Sequence, residues 1–227
     1  MNAARFAKPD ANRFRKPEPE IDEDEIDGHG QRHDDGSDLP TPFILAAKAR
    51  RFAGIAEAKA VLAILPQPGE SLHAICTKRM DLTDIISGII GKLGPVSTMR
   101  VATLGYNNKN LRTMLDWCNP EDCKVKSLWL LTSHFFQSHQ RGLFEETLGE
   151  FSLRGKNFGD YRAAAGYSHA KVVTMLFANG QKWTTEGSAN LNGNGSGREQ
   201  VMICQDAGLH DWHRTWIEQM VSKHAPR

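Results

Sequence analysis

The chain has 227 residues, an apolar fraction of 40% and a net charge of +1, which is typical of a globular protein and argues against a fibrous or wholly disordered one. There is no apolar signal core at the amino terminus and no run of about 18 apolar residues, so secretion and membrane insertion are unsupported and a cytoplasmic location is expected. The four cysteines are sparse, which favours reduced thiols over a disulfide framework.

Charge divides the chain near residue 40. Residues 1–40 hold 11 acidic and 6 basic side chains, whereas residues 41–227 hold 16 and 22. The first segment has too few aliphatic side chains to offset the entropy of ordering, so we expect a disordered acidic tail over 1–40 and one domain over 41–227. The tail either stays solvated or competes with a polyanion for the mildly basic domain.

Helix and strand patterns alternate through the first half of the domain. Thr41-Pro42 is a helix-start signal and predicts a long helix over 43–65, with Lys48, Arg50 and Arg51 as a small basic cluster. Apolar periodicity then predicts strands over 71–77, 98–104 and 126–132, separated by helices over 81–93 and 107–117. A further helix is expected over 141–149.

The second half is predicted to contain a hairpin. After a strand over 158–164, two strands over 172–177 and 182–185 flank Asn179-Gly180, a pair that favours a type I′ turn. A strand over 199–204 and a closing helix over 209–223 follow. The whole pattern predicts an α/β fold with a mixed, largely parallel sheet that helices cover on both faces.

Polar groups suited to phosphodiester chemistry cluster around this hairpin. On an extended strand, His169 and Lys171 would point to the same face, because strand side chains alternate with period two. The hairpin then returns Ser188 and Asn190 to the end of the strand where His169 lies. A proton carrier, a cation and neutral hydrogen-bonding groups are thus expected to converge.

This combination resembles the signature of the phospholipase D superfamily, in which His-x-Lys and a later Asp precede Gly-Ser-x-Asn on the next strand. One position departs from the signature, because Leu176 stands where the family carries Asp. The stretch between His-x-Lys and Gly-Ser-x-Asn is also a few residues longer than in the family. The residues that match are His169, Lys171, Gly187, Ser188 and Asn190, followed by an acidic residue, Glu199.

The resemblance implies a phospholipase D-like fold and a hydrolase that needs no metal or other cofactor. It implies that His169 attacks phosphorus, that Lys171 and Asn190 hold the non-bridging oxygens, and that Ser188 and Glu199 orient these groups. The family uses two His-Lys motifs and this chain has one. A homodimer with the site on its two-fold axis is therefore implied, with His169 of the second copy as general acid.

The substrate class is inferred from the context of the motif. Single-motif, dimer-forming members resemble nucleases, and the domain is mildly basic, so DNA or RNA is the leading substrate and a phospholipid headgroup the second. Because Leu176 replaces the family Asp, a protein that binds phosphodiesters with little or no turnover is the alternative.

Two further groups of residues are candidates. Gly187 and His134 are expected to line the substrate pocket, His134 because it follows a buried strand at the edge where ligands collect in open α/β sheets. His134 and His139 could instead ligate a metal with Cys118 and Cys123. Their spacing matches no known ligand pattern, which favours histidines and thiols without a metal.

Overall fold

A mixed sheet with helices on both faces dominates the protein. The structure, a computed structural model, describes residues 49–56, 63, 65–76, 81–191 and 199–225. Eight strands lie in these ranges: β1 (Ala49–Ala56), β2 (Glu70–Cys76), β3 (Val96–Ala102), β4 (Ser127–Ser133), β5 (Asp160–Gly166), β6 (Val172–Phe177), β7 (Lys182–Gly187) and β8 (Glu199–Cys204). The helices described with them are α1 (Leu82–Leu93), α2 (Asn108–Trp117), α3 (His134–His139), α4 (Arg141–Asn157) and α5 (Ala207–His224).

The eight described strands form one sheet in the order β1-β2-β8-β7-β6-β3-β4-β5. The pairs β1–β2, β3–β4 and β4–β5 are parallel, and the four pairs that link β2, β8, β7, β6 and β3 are antiparallel. The α/β class and the mixed sheet are as predicted, but the described sheet is not largely parallel, since three of its strand pairs are parallel and four are antiparallel. In consequence, the carboxyl ends of β3, β4 and β5 share one edge of the sheet with the first residue of β6.

Alternating side chains divide the core between the two faces of the sheet. In β4, Leu128 and Leu130 pack in the larger cluster with residues of α1, α2 and α4. Trp129 and Leu131 pack on the other face with Ile217 of α5. A strand buried on both faces reads as a continuous apolar run, which is why this segment was recognisable in the sequence.

Local signals set the start of α2. Asn107 accepts a hydrogen bond from the amide of Asn110 at 3.0 Å, and the Asn110 side chain accepts one from the amide of Asn107 at 3.0 Å. These reciprocal bonds satisfy two donors that the first turn of a helix leaves unpaired. The predicted start and end of this helix are confirmed.

The predicted helix over 43–65 is wrong over Ala49–Ala56. This segment is strand β1, which pairs in parallel with β2 from Ala49–Glu70 to Ala56–Cys76. Hydrogen bonding to the edge strand of a sheet outweighs the helix propensity of an alanine-rich segment. Arg50 and Arg51 therefore lie in a strand. Lys48 and the predicted tail over 1–40 lie outside the described residues.

The hairpin is confirmed, but its turn is not type I′. A type I′ turn needs positive φ at both central residues, and among the described residues only glycines have positive φ, here Gly180 at 85°. The amide of Gly180 donates to Phe177 O at 3.0 Å, and the amide of Ala178 donates to Pro95 O at 2.9 Å. The amide of Phe177 donates to Gln181 O at 2.9 Å, so the loop has three residues, Ala178 to Gly180.

Two helices differ from the predictions. The segment 134–139, expected as a loop, is the short helix α3, since Ser133 Oγ accepts from the amide of Phe136 at 3.0 Å and caps it. Helix α4 continues to Asn157, beyond the predicted end at 149. None of the helices in the described ranges is both long enough and apolar enough to span a bilayer.

Candidate active site

Strand pairing brings the predicted site residues to one edge of the sheet. Beyond the end of the β6–β7 pairing, the amide of Gly187 donates to Lys171 O at 3.2 Å. Beyond the end of the β7–β8 pairing, the amide of Ser188 donates to Gln200 O at 3.0 Å. Lys171 and Ser188 therefore lie at the same end of the sheet as Glu199, the first residue of β8.

Lys171 and His169 meet directly. The two residues precede β6 instead of lying within it, and the lysine side chain folds back along the chain. Its Nζ lies 2.8 Å from His169 Nδ1 and donates to His169 O at 2.8 Å. The predicted juxtaposition is present, and it arises from this fold-back instead of from strand alternation.

The ammonium of Lys171 is buried whereas the imidazole is exposed. Lys171 is 8% exposed, and burial lowers its pKa while the negative charge of Glu199 raises it. As an ammonium, Nζ can only donate a hydrogen bond. In this arrangement, Nδ1 of His169 is therefore the acceptor, and a neutral imidazole carries its proton on Nε2.

Glu199 orients Ser188. The hydroxyl of Ser188 donates to the Glu199 carboxylate at 2.5 Å and accepts from the amide of Gln200 at 3.0 Å. A hydrogen bond to an ionised acceptor is among the stronger ones in proteins. The pair thus holds β7 and β8 together at the site and keeps a negative charge near the ammonium of Lys171.

Asn190 has unused hydrogen-bonding capacity. Its Oδ1 is buried and has no hydrogen-bond partner among the residues that the structure describes. The next residue, Leu191, is held by Thr103, whose hydroxyl accepts from the Leu191 amide at 3.4 Å and donates to Gly105 O at 2.9 Å. Sequence reasoning missed Thr103. Its position just after β3, at the edge where ligands collect, was the available signal.

Close packing between β7 and β8 requires a glycine at position 187. A Cβ on this residue would lie 2.0 Å from Gln200 O, closer than any side-chain carbon can approach a carbonyl oxygen. Its amide is already used by Lys171 O. The glycine therefore allows β7 and β8 to come together, which fixes Ser188, and its amide does not face the expected substrate position.

His134 lies at the same edge but has other neighbours. Its Nδ1 lies 3.0 Å from Gln137 Oε1, and its ring packs edge-on against Tyr167, with ring centroids 4.7 Å apart. The structure thus places it beside the segment that leads to His169. No bond joins it to the site residues in the described part of the chain.

The four candidate metal ligands do not form a cluster. The thiol of Cys123 lies 3.7 Å from Val125 O, just before the start of β4, and Cys118 is buried in the core near that same end. His134 and His139 lie beyond the last residue of β4. A strand of seven residues, about 20 Å long, separates the thiols from the histidines.

Leu176 lies far from the site. It is five residues beyond Lys171 and pairs with Lys182 and Thr98, about 16 Å along the strand at 3.3 Å per residue. A carboxylate at this position would not reach the His169 side chain. The departure from the signature therefore leaves the arrangement of the other site residues unchanged.

Comparisons with known proteins found similarity in structure only. No protein family model matches the sequence, and no curated protein matches it. NucT from Helicobacter pylori is 11% identical over 70% of this chain and 100% of its own, with a TM-score of 0.46. A phospholipase D family member, Nuc from Salmonella typhimurium, is 10% identical over 61% of this chain and 87% of its own, with a TM-score of 0.42.

Polyphosphate kinase from Porphyromonas gingivalis is also similar. It is 13% identical over 83% of this chain and 32% of its own, with a TM-score of 0.47. The similar structures thus include a member of the family that the motif resembles.

Proposed function

We propose that this protein is a phosphodiesterase that hydrolyses the backbone of DNA or RNA without a metal ion. One observation carries the proposal: His169, a buried lysine, Ser188, Asn190 and Glu199 come from separate strand ends to one edge of the sheet. Lys171 touches His169 at 2.8 Å, and Asn190 keeps a free amide oxygen in the described structure. A nucleophile, a cation and an amide at one edge of the sheet suit attack on a phosphate.

The Lys171–His169 contact defines how a phosphate would enter. In the structure, the ammonium of Lys171 donates a hydrogen bond to the lone pair on Nδ1 of His169. When a non-bridging oxygen of the substrate accepts from Nζ instead, the imidazole regains a free nitrogen lone pair. That nitrogen attacks phosphorus, the P–O bond to the leaving group breaks, and an N–P bond forms. Water then attacks phosphorus and breaks the N–P bond, and its proton passes to the group that protonated the leaving oxygen, which returns the site to its starting state.

A second histidine is needed to protonate the leaving oxygen, and we propose that a second copy of this chain supplies it. The sequence has one His-x-Lys pair. In a two-fold dimer, the same surface of each copy meets its counterpart, so two exposed His169 side chains could face one phosphorus atom. One imidazole is then the nucleophile and the other, protonated, is the general acid.

A specific observation favours a second candidate, a module that binds phosphodiesters without turnover. With Nδ1 bonded to Lys171 and the proton on Nε2, the imidazole of His169 has no free lone pair in this conformation. If the contact persists when a phosphate binds, the site holds the ligand and does not cleave it.

Cleavage in the presence of excess chelator tests the main proposal. Single-stranded and duplex DNA, RNA and phosphatidylcholine vesicles are offered to the wild type, to His169→Ala and to the control His73→Ala, which changes a half-buried histidine on β2. We expect nucleic acid cleavage by the wild type and the control and none by His169→Ala. Acid-labile phosphate bound to His169 during turnover would identify the intermediate. Salt-sensitive binding without products would select the binding module.

Mixing wild-type and His169→Ala chains tests the shared site. If each site needs His169 from both copies, activity falls with the square of the wild-type fraction after subunit exchange. If each chain works alone, activity falls in proportion to that fraction. A strictly monomeric and active protein would refute the dimeric site.

A further inference from the structure

We propose that Tyr167 and Phe135 form a stacking surface for the unpaired bases of single-stranded nucleic acid beside His169. The inference rests on the proposed function, and it names the form of nucleic acid that the site takes. We call the two residues, with the rings of His134 and His139 that support them, the aromatic surface.

Both aromatic rings are unusually open to solvent. Tyr167 is 80% exposed and Phe135 is 61% exposed. Large aromatic side chains are usually highly buried, because removing their apolar area from water stabilises the folded protein. Tyr167 follows the carboxyl end of β5, and Phe135 follows that of β4. They therefore lie at the edge of the sheet that carries the candidate active site.

Each exposed ring is held from one side. The ring of Tyr167 packs against that of His134, with centroids 4.7 Å apart. Phe135 stacks on His139, with centroids 3.9 Å apart and an interplanar angle of 28°, and His139 Nδ1 lies 2.8 Å from Phe135 O. Rings already held in place lose little side-chain freedom when they bind a ligand.

The chain places Tyr167 close to the proposed chemistry. Tyr167 is two residues before His169, so their Cα atoms are at most about 7 Å apart. The amide of Ser168 donates to Gly166 O at 3.0 Å, and the Ser168 hydroxyl accepts from the Ala170 amide at 3.2 Å. These bonds tie the segment between the two side chains to the end of β5. A base next to the phosphate under attack would therefore lie within reach of the tyrosine ring.

The chemistry of the surface favours nucleic acid over a protein partner. Among the described residues at this edge, the supporting side chains are histidines, and both large exposed side chains are aromatic, without the exposed aliphatic groups of a typical apolar patch. The other large exposed apolar side chains in the described ranges, Leu153 and Phe158, lie toward the opposite edge, near the end of α4. Bases inside a duplex are already stacked, so only unpaired bases can use such rings.

Binding measurements test the aromatic surface independently of cleavage. Fluorescence anisotropy in the His169→Ala background compares a single-stranded oligonucleotide, its duplex and an abasic strand of equal length. Tyr167→Ala and Phe135→Ala should each weaken single-strand binding by about five-fold to 150-fold, the range for one stacked base. They should leave binding of the abasic strand unchanged. Tyr167→Phe keeps the ring and should bind like the parent, as should Phe158→Ala, which removes an exposed ring at the opposite edge.

Each outcome of the binding measurements either supports or overturns the inference. Single-strand binding that both alanine variants leave unchanged overturns the inference, whatever the cleavage assays show. Equal losses on the abasic strand overturn it as well, because bases would then contribute nothing. If light scattering shows that the variants dissociate an oligomer, the surface is a subunit interface and the inference fails. If the variants lose only single-strand binding and the wild type cleaves no substrate, stacking stands and the proposed hydrolysis fails.

Discussion

Replacing Lys171 with methionine should separate function from stability at this site. Methionine has a similar length and no charge, so the change removes the ammonium and leaves most of the packing. Lys171 is 8% exposed, and burial disfavours its charged form, which lowers its pKa below the usual 10.5. The unfolded chain thus binds more protons between the two pKa values, and stability rises with pH across that range.

The expected magnitudes follow from this environment. At neutral pH, Lys171 is charged in the folded and the unfolded protein, so the burial of its ammonium destabilises the folded state. Removing the ammonium should leave the free energy of unfolding unchanged or raise it by up to about 1 kcal/mol, which corresponds to roughly 2–4 °C in Tm. Cleavage should fall by about 10²-fold to 10³-fold, as when one donor to a transition-state oxygen is removed.

Thermal unfolding and the rate of oligonucleotide cleavage are measured on the same preparations. Lys182→Met is the matched control, since Lys182 donates to Asp211 at 2.5 Å from β7 to α5, away from the site. It should lose about 0.5–1 kcal/mol of stability with the ion pair and keep full activity. Cleavage by Lys171→Met within ten-fold of the wild type would refute the role of the ammonium. A large loss of stability would show that the ammonium instead holds the chain before β6.

Three further changes test the fold around the site. Glu218→Gln removes the carboxylate bonded at 2.7 Å to the buried guanidinium of Arg100, and urea unfolding should show a loss of about 2 kcal/mol, below the value for a fully buried pair because Glu218 is partly exposed. Gly187→Ala should cost about 1–3 kcal/mol and abolish cleavage, since the new Cβ meets Gln200 O and separates β7 from β8. Burial raises the pKa of Cys204 to about 12, so its thiol should resist disulfide reagents at pH 8 until the protein unfolds.

Controls for these changes come from the same chain. Glu145→Gln breaks an exposed pair with Arg141 and should change stability by about 0.5 kcal/mol or less. Gly149→Ala adds a Cβ with no neighbour within 4 Å in the interior of α4, and it should stabilise the protein by about 0.5–1 kcal/mol. The Cys204 thiol should make the free energy of unfolding fall as pH rises from about 9 towards 12, because this thiol ionises first in the unfolded chain. The test uses Lys171→Met, which lacks the opposing titration of Lys171, and a stability of that variant that stays constant over this range would contradict the burial of Cys204.

Much of the fold was predictable because its signals are local. The cap at Asn107 and the apolar periodicity of α1 and α2 act within a few residues, and β4 is a continuous apolar run. The Asn179-Gly180 pair also predicted the hairpin, which brings Ser188 to the end of the sheet where Lys171 lies. Local preferences determine an element when no distant partner competes with them.

The tertiary structure decided whatever depended on a distant partner. The segment Ala49–Ala56 became a strand because β2 offered an open edge, and the amide of Ala178 in the hairpin loop donates to Pro95 O, which is distant in the sequence. The contact between Lys171 and His169 depends on a buried environment for the ammonium, and no sequence pattern predicts that environment. Thr103 reaches Leu191 across 88 residues. Such contacts depend on how strands are ordered in the sheet, and a residue pattern that spans a few positions does not contain that order.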